Sequence, residues 1–514
     1  MIAENGIAHR HLLPADGLEE MLQSEHQCVR IIVPEQWASS YAGQLLTSCL
    51  VNLLCRQVKL ICRIEIISPE TRALIRLPNG DVARDFPKCL KTMADWAVNG
   101  AVTISTTQTD AAVDYTILVG EALSEPNLND GHVLLLIGDG WRAWVGDPLC
   151  GRRAVYPTTS NPLGPFLAAA LAAGEIFKRS RGILRGKFLT EAGYSLWSGA
   201  VSSDWDALED GPQIAGSALP PVHLMGVGAV GNALAYIIAN LGLSQAYVIP
   251  IDDDRYDDTN LNRCLLAGWS DLDHPKVDSI SRMLLAEDVS VFPFFGTIKS
   301  YVGSGRTGLR SDVASQVDDL IFKIVVSCVD KGSPRQDIQG LWPHLLLGGS
   351  TLDLKAKSNL YMQQPGAACL ACFNPRERDG ERIRVLESRL RNMPPEERGC
   401  FLRGHGFDVS AVEEYLSSAQ CGSLGEAALR DFATLPPPEF SAGFVSLGAG
   451  LLLATTLLQN AVFSEAGPRR RAMTTLNFLN GGFLDTGFGA DDECDQRCQD
   501  HLSMRISSET RELA

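Results

Sequence analysis

A glycine-rich segment, Gly226-Val-Gly-Ala-Val-Gly231, restricts the folding of this 514-residue chain more than any other feature. The apolar residues 223–225 before it predict a strand, and residues 232–241 after it predict a helix. Glycines at such a junction permit a tight turn and let backbone N–H groups approach a phosphate at the start of the helix. The segment therefore predicts a nucleotide site whose turn contains Gly226, Gly228 and Gly231.

A carboxylate follows at the distance that such a site requires. Residues 246–251 predict the second strand of the unit, and Asp252 comes directly after them. In β-α-β nucleotide sites an acidic residue about 20 residues beyond the glycines binds the ribose hydroxyls. Similar glycine turns serve NAD, FAD and ATP sites and also occur for packing alone, so the turn does not by itself identify the nucleotide.

The first half of the chain predicts the same plan without the glycines. The strand-like runs 29–33 and 60–67 enclose a helical stretch at 45–54, which is the β-α-β opening of a doubly wound sheet. Pro34-Glu-Gln-Trp-Ala38 stands where the second half has its glycine turn. We therefore expect the first half to be a degenerate copy of the second.

A segment rich in Asp, Gly and Pro, residues 202–221, predicts the linker between the halves. The fold class that follows is α/β, with two Rossmann-like doubly wound halves. We predict domains at 1–205 and 206–514, with a polar, cysteine-bearing insertion at 373–440 in the second.

Composition excludes several classes of partner. The formal net charge of −16 disfavours non-specific binding to DNA, RNA or anionic lipid. The apolar run 444–458 is shorter than the roughly 20 residues of a membrane span, so it predicts a buried helix. The first residues lack the pattern of a signal peptide, and the 14 cysteines are then expected to be reduced. We expect a cytoplasmic protein without a nucleic-acid or membrane partner.

Five polar residues follow the second strand of the unit in a characteristic order: Asp252, Asp254, Asn260, Arg263 and Lys276. With these residues at this spacing behind a glycine turn, the sequence resembles the superfamily of ubiquitin-activating enzymes and their ThiF- and MoeB-like bacterial relatives. The resemblance is strongest over residues 220–375. It implies an ATP-dependent adenylation domain, in which Asp252, Asp254 and Asn260 contact the nucleotide.

The charges fit that chemistry, because a carboxylate that attacks the α-phosphate of ATP must overcome repulsion between anions. Arg263 and Lys276 can neutralise the triphosphate. The resemblance also implies that Asp330, behind a strand-like run, is a ligand of Mg²⁺. Two residues depart from the family pattern: Cys264 stands where glutamine is frequent, and Lys331 where asparagine is usual.

Two cysteine pairs predict a structural zinc site. The pairs are Cys369-Leu-Ala-Cys372 and Cys494-Asp-Gln-Arg-Cys498, and four thiolates can converge tetrahedrally on Zn²⁺. Activating enzymes often carry such a Cys-x-x-Cys pair at this point in the chain. The second pair has three intervening residues instead of the usual two, which weakens its match to a zinc site, and His501 is a spare ligand. The competing interpretation is that these are reduced cysteines in a loop.

The predicted insertion at 373–440 contains Cys400 and Cys421. The resemblance implies that a cysteine here accepts the activated carboxylate as a thioester, because a thiolate attacks an acyl-adenylate readily. We prefer Cys421, which lies nearer the apolar helix at 444–458. Each cysteine could instead be a surface thiol without a function.

The first half resembles the inactive adenylation half of two-halved activating enzymes. Such a half commonly lends an arginine from just before its first strand, and Arg10 is the candidate here. A solvated N-terminal charge is the competing interpretation for Arg10.

The resemblance implies the activating enzyme of a bacterial ubiquitin-like conjugation system. Its substrates and cofactors would be ATP, Mg²⁺, Zn²⁺ and a ubiquitin-like protein, its further partner a conjugating enzyme, and a homodimer is possible. A second hypothesis is adenylation of a sulfur-carrier protein, a small peptide or a modified tRNA base without thioester transfer, although the acidic charge disfavours tRNA. A third hypothesis is a protein of a different class, either an NAD-dependent oxidoreductase or a non-catalytic scaffold.

Overall fold

The computed structural model separates the chain into two compact units, residues 1–374 with 440–514, and residues 375–439. The structure describes residues 6–8, 10–13, 26–80, 85–121, 131–148, 155–183, 189–285, 289–304, 322–330, 332–361, 366–374, 381–404, 407–417, 429, 440–468, 472–487, 489–491, 494 and 496–500.

The first half of the larger unit forms an eight-stranded sheet in the order β3-β2-β1-β4-β5-β6-β7-β8. The first five positions are parallel, and β6 to β8 continue the sheet in antiparallel pairs. The strands are β1 (Gln27–Ile32), β2 (Ile61–Ile67), β3 (Thr103–Ser105), β4 (Tyr115–Val119), β5 (His132–Asp139), β6 (Arg142–Gly146), β7 (Glu191–Ser195) and β8 (Val201–Ser202).

In the described part of this half, four helices lie between these strands, and local sequence sets the ends of two of them. The Ser40 side chain accepts a hydrogen bond from the Gly43 N–H at the start of the second helix. Asp85 caps the third helix in the same way, and Asn99 ends it in the left-handed conformation with φ 52°. The helices are α1 (Glu35–Ala38), α2 (Tyr41–Cys55), α3 (Phe86–Val98) and α4 (Leu163–Ser180).

The second half repeats the plan, as predicted. Its sheet has the order β11-β10-β9-β13-β14-β15-β16-β17, with β12 paired to β10 beyond β11. The strands from β9 to β14 run parallel, and the last three pair antiparallel. They are β9 (Ala218–Met225), β10 (Gln245–Asp252), β11 (Val289–Val291), β12 (Phe294–Phe295), β13 (Ile324–Ser327), β14 (Leu345–Leu352), β15 (Lys355–Tyr361), β16 (Met473–Asn477) and β17 (Gly482–Thr486).

The predicted fold class, two Rossmann-like α/β halves, is therefore confirmed. The two sheets share the parallel order 3-2-1-4-5 when the strands of each are counted from its own beginning and the two-residue strand β12 is left out. The helices of the second half are α5 (Ala229–Ile238), α6 (Lys276–Leu284), α7 (Ile298–Gly303), α8 (Gly332–Gln339) and α9 (Leu370–Phe373), followed after the inserted unit by α13 (Gly443–Ala461).

The two halves share one hydrophobic core. Helix α4 packs on strands β5 and β6, α13 packs on β14 and β15, and the two helices pack on each other. Gly450 lets α13 approach α5, because a Cβ at this position would lie 2.9 Å from the Cβ of Ala233. By length and composition α13 could cross a membrane, but it is buried in this core, as predicted for the apolar run 444–458.

The smaller unit is helical: α10 (Glu381–Asn392), α11 (Pro395–Gly404) and α12 (Val409–Ser417). Leu390, Leu402 and Val412 bring the three helices together in a small apolar cluster. The Arg398 guanidinium donates two hydrogen bonds, of 2.8 and 2.9 Å, to the carboxylate of Glu413. Such a bidentate pair fixes α11 against α12.

Trp37 fills the space in the first half that the glycine turn occupies in the second. Helix α1 follows β1 directly, and the wholly buried Trp37 indole donates a hydrogen bond of 3.1 Å to the Val155 carbonyl. Gly120, which follows the neighbouring β4, has φ 82°, and a Cβ there would lie 1.8 Å from Trp37 Nε1. The indole therefore closes the switch point between β1 and β4, where an α/β sheet of this order would otherwise bind a ligand.

We expect Trp37→Ala to lower the free energy of unfolding by about 3–5 kcal/mol, because it leaves a cavity under the end of β1. Tyr41→Ala is the matched control, since Tyr41 lies on the next helix and is 47% exposed. Thermal and urea unfolding of both variants measure the difference. A loss for Trp37→Ala no larger than that for Tyr41→Ala would contradict this packing.

Candidate active site

The turn after β9 has room for glycine alone at two of its three glycine positions. Gly226 has φ 86°, a left-handed conformation that favours glycine. A Cβ at Gly231 would lie 2.1 Å from the carbonyl oxygen of Gly226. At Gly228, the N-cap of α5, a Cβ would meet no atom within 4 Å. Gly228 thus borders open space at a helix N-terminus, which suits a phosphate.

Asp252 connects the end of β10 to this turn. Its carboxylate accepts hydrogen bonds from the Val227 N–H at 2.7 Å and from the Asp254 N–H at 2.8 Å. Burial raises the pKa of Asp252, and the positive charge of Lys276 and the two N–H groups oppose that rise. The carboxylate therefore lies across the mouth of the glycine turn, where sequence analysis predicts a ribose contact.

Lys276, the first residue of α6, lies beside these carboxylates. Its Nζ is 2.8 Å from Asp254 Oδ2, and the Lys276 side chain is 11% exposed while that of Asp254 is 63% exposed. Burial disfavours the charge of Lys276, but the charges of Asp252 and Asp254 outweigh burial and raise its pKa. Lys276 is therefore a persistent cation next to the turn.

Asn260 and Arg263 lie on a short turn behind β10. The Asp257 side chain caps this turn, accepting from the backbone N–H of Asn260 at 3.1 Å and from its Nδ2 at 2.9 Å. The Asn260 Oδ1 is buried and makes no hydrogen bond within the described part of the chain. It is therefore an unsatisfied buried acceptor next to the predicted nucleotide site.

Arg263 is partly buried and is held by its own turn. Its guanidinium donates to the Thr259 carbonyl and, at 3.0 Å, to Asn262 Oδ1. Burial lowers the pKa of Arg263, and the positive charge of Arg10 lowers it further. The negative charges of Asp257 and Asp330 act in the opposite direction. Both of these hydrogen bonds come from Nη1, so within the described residues the Nε and Nη2 donors have no protein acceptor.

Arg10 and Asp330 thus reach Arg263 from distant parts of the chain. The Arg10 carbonyl accepts a hydrogen bond of 3.3 Å from the Ser441 N–H, which ties the N-terminal segment to the start of α13. Asp330 is exposed and follows β13, the neighbour of β9 in the sheet. The structure therefore places Arg10 and Asp330 within electrostatic range of Arg263, while the roles that the resemblance implies for them stay predictions.

One departure from the family pattern lies in the core. Cys264 is 2% exposed, and burial raises the pKa of its thiol. Its side chain therefore packs as a small apolar group. Lys331, the other departure, lies outside the described residues.

The sequence did not single out Asp257 or Arg335. Asp257 caps the Asn260 turn, and an aspartate at such a position is the one signal that could have revealed it. Arg335, on α8, donates a hydrogen bond of 2.9 Å to the Val329 carbonyl and another to Asn374 Oδ1. It thereby links the segment before Asp330 to the end of α9, a contact for which the sequence gives no signal.

The four predicted zinc ligands come together: Cys369, Cys372, Cys494 and Cys498. Sulfur–sulfur distances are 3.7 Å for Cys369–Cys372, 3.6 Å for Cys369–Cys494 and 3.6 Å for Cys372–Cys498, and all four Sγ atoms lie within 4.8 Å of one another. Four thiolates at about 2.3 Å from a tetrahedral Zn²⁺ would be separated by about 3.8 Å. The cluster therefore fits a structural zinc ion, and three intervening residues in the second pair do not prevent it.

The two cysteines predicted as nucleophiles belong to residues 375–439. Cys400 is exposed on α11, and the Arg403 Nη2 lies 3.7 Å from its Sγ. Cys421 lies outside the described residues, as does the spare zinc ligand His501. The choice between Cys421 and Cys400 stays a prediction.

Two family models match separate parts of the chain. Residues 220–461 match the ThiF family, and residues 28–196 match the BilD N-terminal domain. The bacterial E1-like protein BilD from Collimonas sp. (strain OK412) is 27% identical over 233 residues, which are 43% of this chain and 49% of that protein. The match thus spans about half the length of that relative.

Solved structures of Escherichia coli MccB are also similar. The complex with succinimide has a TM-score of 0.34 and 16% identity, and the complex with ATP has a TM-score of 0.33 and 16% identity. Each match covers 54% of this chain and 66% of the MccB chain.

The glycine turn, the carboxylates beside it and the basic residues around them all lie on or against residues 220–461. Residues 220–461 form a ThiF-family domain, and it follows a region that matches the BilD N-terminal domain.

Proposed function

We propose that this chain uses ATP to adenylate the C-terminal carboxylate of a ubiquitin-like protein, and that a cysteine then takes the acyl group as a thioester. One observation carries the proposal: Arg263, with Arg10 and Asp330 in electrostatic reach, lies in the same ThiF-family domain as the Lys276 cation and the glycine turn. An NAD-dependent oxidoreductase would not need this concentration of cations.

The described residues fit ATP. The open space at Gly228, before the N-terminus of α5, suits the phosphates, and Asp252 at the end of β10 is placed to bind the ribose. A bound Mg²⁺ would orient the triphosphate and offset its charge. The exposed carboxylate of Asp330, an oxygen ligand of the kind that Mg²⁺ prefers, is the residue we assign to hold it.

In the first step a carboxylate oxygen of the substrate attacks the α-phosphorus of ATP. A bond forms between that oxygen and phosphorus, the bond from phosphorus to the bridging oxygen breaks, and pyrophosphate leaves with the electron pair. Arg263 and Lys276 reduce the repulsion between the two anions and stabilise the charge that develops on the phosphate oxygens. Arg10 adds a third positive charge within electrostatic range of Arg263.

In the second step a cysteine thiolate attacks the carbonyl carbon of the acyl-adenylate, and AMP leaves as the thioester forms. We assign the nucleophile to Cys421, with Cys400 as the second candidate. A conjugating enzyme would then receive the acyl group from the thioester. Support for a protein substrate comes from the BilD relative, which is described as a bacterial E1-like protein.

We also propose that the four-cysteine cluster binds Zn²⁺ in a structural role. Four protein ligands leave no open position for catalysis. The Asp491 N–H lies 3.4 Å from Cys372 Sγ and the Gln499 Nε2 lies 3.3 Å from Cys498 Sγ, so both can donate hydrogen bonds to thiolates. Such outer contacts are typical of metal-bound sulfur.

The first step is tested by ATP–pyrophosphate exchange. The substrates assayed are β-grasp proteins ending in glycine that neighbouring genes encode, and the same proteins without that glycine. We expect exchange that depends on the terminal glycine, and a loss of about 100-fold in Asp330→Asn, because one charge that organises the reacting phosphate is removed.

Asp95→Asn is the matched control, since Asp95 lies on α3, its side chain is 43% exposed, and it pairs with Lys91 at 2.9 Å. It should exchange at the wild-type rate. Tight NAD binding without ATP turnover would overturn the proposal and favour the oxidoreductase.

The second step is tested with Cys421→Ala and Cys400→Ala. We expect Cys421→Ala to retain pyrophosphate exchange and to lose the thiol-sensitive conjugate with the substrate, seen on non-reducing gels, while Cys400→Ala keeps both. The reverse pattern would assign the thioester to Cys400. If both variants, and the double variant, keep the conjugate, thioester transfer through these residues is wrong and adenylation stands alone.

The zinc proposal is tested by metal analysis of the purified chain. We expect one Zn²⁺ per chain, lost in Cys369→Ser together with a fall in melting temperature, because metal binding contributes directly to folding stability. Cys400→Ser should keep its zinc, since Cys400 lies in the other unit. A wild-type chain without zinc after growth in zinc-supplemented medium would contradict the assignment.

A further inference from the structure

A buried guanidinium of the first half lies against the turn that carries Asn260 and Arg263. Arg56 follows the last residue of α2 and is 1% exposed. It donates hydrogen bonds to three carbonyls of the second half: those of Leu261, of Leu265 at 3.3 Å and of Ala267 at 2.8 Å.

These three carbonyls bracket Arg263 along the chain. The Leu261 carbonyl lies two residues before Arg263 and the Leu265 carbonyl two residues after it, so one rigid group holds the backbone on both sides. A guanidinium is planar, with donors in a fixed fork, so satisfying several carbonyls at once also sets their relative positions. Arg56 therefore specifies the shape of this turn as well as its location.

Asn52, one turn earlier on α2, holds the clamp itself. Its Oδ1 accepts a hydrogen bond of 2.8 Å from Arg56 Nε, and its Nδ2 donates one of 3.0 Å to the Leu265 carbonyl. Both side-chain polar atoms of Asn52 are thus used, and both lead to the same turn of the second half. The hydrogen bonds of Asn52 and Arg56 therefore form one network, and helix α2 supports both side chains.

The environment of Arg56 is costly for a charge, because within the described residues its hydrogen-bond partners are neutral oxygens, although the negative charge of Asp271 opposes the effect of burial on its pKa. Burial lowers the pKa of Arg56. The Trp96 ring lies 6.0 Å from its guanidinium carbon and 5.7 Å from that of Arg282, whose Nη1 pairs with Asp271 at 2.6 Å. Apolar packing at an interface of this kind would stabilise the fold at lower cost. The fixed positions that the Arg56 guanidinium imposes on its three carbonyl partners give a reason for an arginine at this place.

We infer that Arg56, supported by Asn52, is a positioning residue for adenylation: the degenerate half orders the backbone on which Arg263 reaches the nucleotide. This inference rests on the proposed function. It gives the first half a second contribution to the site besides Arg10. Because a displacement of about 1 Å can cost about 100-fold in rate, a clamp on the backbone of Arg263 is worth as much as a direct contact.

The test uses the full chain with Arg56→Met, Arg56→Lys and Asn52→Leu. Tyr194→Phe is the matched control, because the Tyr194 hydroxyl also donates from the first half to a carbonyl of the second, that of Gly481 at 2.8 Å, away from this turn. Three measurements are made: hydrogen–deuterium exchange of the amides at 260–267, calorimetric binding of Mg-ATP, and ATP–pyrophosphate exchange. The calorimetric stoichiometry counts the folded sites, so it separates a slower site from a smaller folded fraction.

We expect Arg56→Met to exchange the amides at 260–267 about 10-fold faster and to lower kcat for pyrophosphate exchange by about 30-fold, with the stoichiometry and the KM for ATP nearly unchanged. Arg56→Lys, which keeps the charge and three donors but not the fork, should recover part of the rate. Asn52→Leu should show the same pattern more weakly, and it replaces Arg56→Met if that variant does not fold.

Wild-type amide exchange and kcat in both Arg56→Met and Asn52→Leu would overturn the inference. An equal loss of kcat in Tyr194→Phe would also overturn it, because any contact between the halves would then have the same effect. If the wild-type chain shows no pyrophosphate exchange with any substrate, the proposed function fails, and the clamp is then judged on the amide exchange of residues 260–267 alone.

Discussion

The arrangement of the site depends on one close approach, that of Gly231 to the carbonyl oxygen of Gly226. Because a Cβ at residue 231 would lie 2.1 Å from that oxygen, the chain can leave β9 and enter α5 here only with glycine. The tight turn puts the Val227 N–H within reach of Asp252, and Asp252 in turn influences Lys276. The charge distribution of the domain thus follows from a steric constraint on its backbone.

Much of the fold was predictable, because strands that helices cover on both faces have continuous runs of apolar residues in the sequence. The runs at 29–33, 60–67 and 246–251 each became a strand within a residue or two of the predicted bounds. Strand β9 was predicted too short, since it begins at Ala218 and continues through Pro220 and Pro221. Prolines usually mark the end of a strand, so local sequence argued against this extension.

Some residues of the candidate site could be recognised from their order along the chain, whereas contacts between distant residues could not. Asp252, Asn260, Arg263 and Lys276 lie within 25 residues of one another, so their order in the sequence was enough to recognise them. Arg56 is 205 residues from Leu261, its partner, and an arginine at the end of a helix predicts a solvated charge. The four cysteines were found despite a separation of 125 residues between Cys369 and Cys494, because thiol pairs are rare enough to be noticed.

The two halves use the same sheet order for opposite purposes. In the second half the switch point of the sheet stays open around Gly228, whereas Trp37 and Gly120 close it in the first. The first half instead sends polar groups across the shared core, among them Asn52 and Arg56. The first half thereby supports the turn of the second half that carries Asn260 and Arg263.

The closure by Trp37 has a consequence for how the protein responds to its substrate. Within the described residues Trp37 fills one of the two equivalent switch points. Under the proposed function, equilibrium binding of ATP to a single polypeptide is therefore expected to follow a one-site hyperbola. A sigmoidal or biphasic binding isotherm would then report communication between separate polypeptides. The shape of the ATP saturation curve therefore indicates whether copies of this chain associate and influence one another.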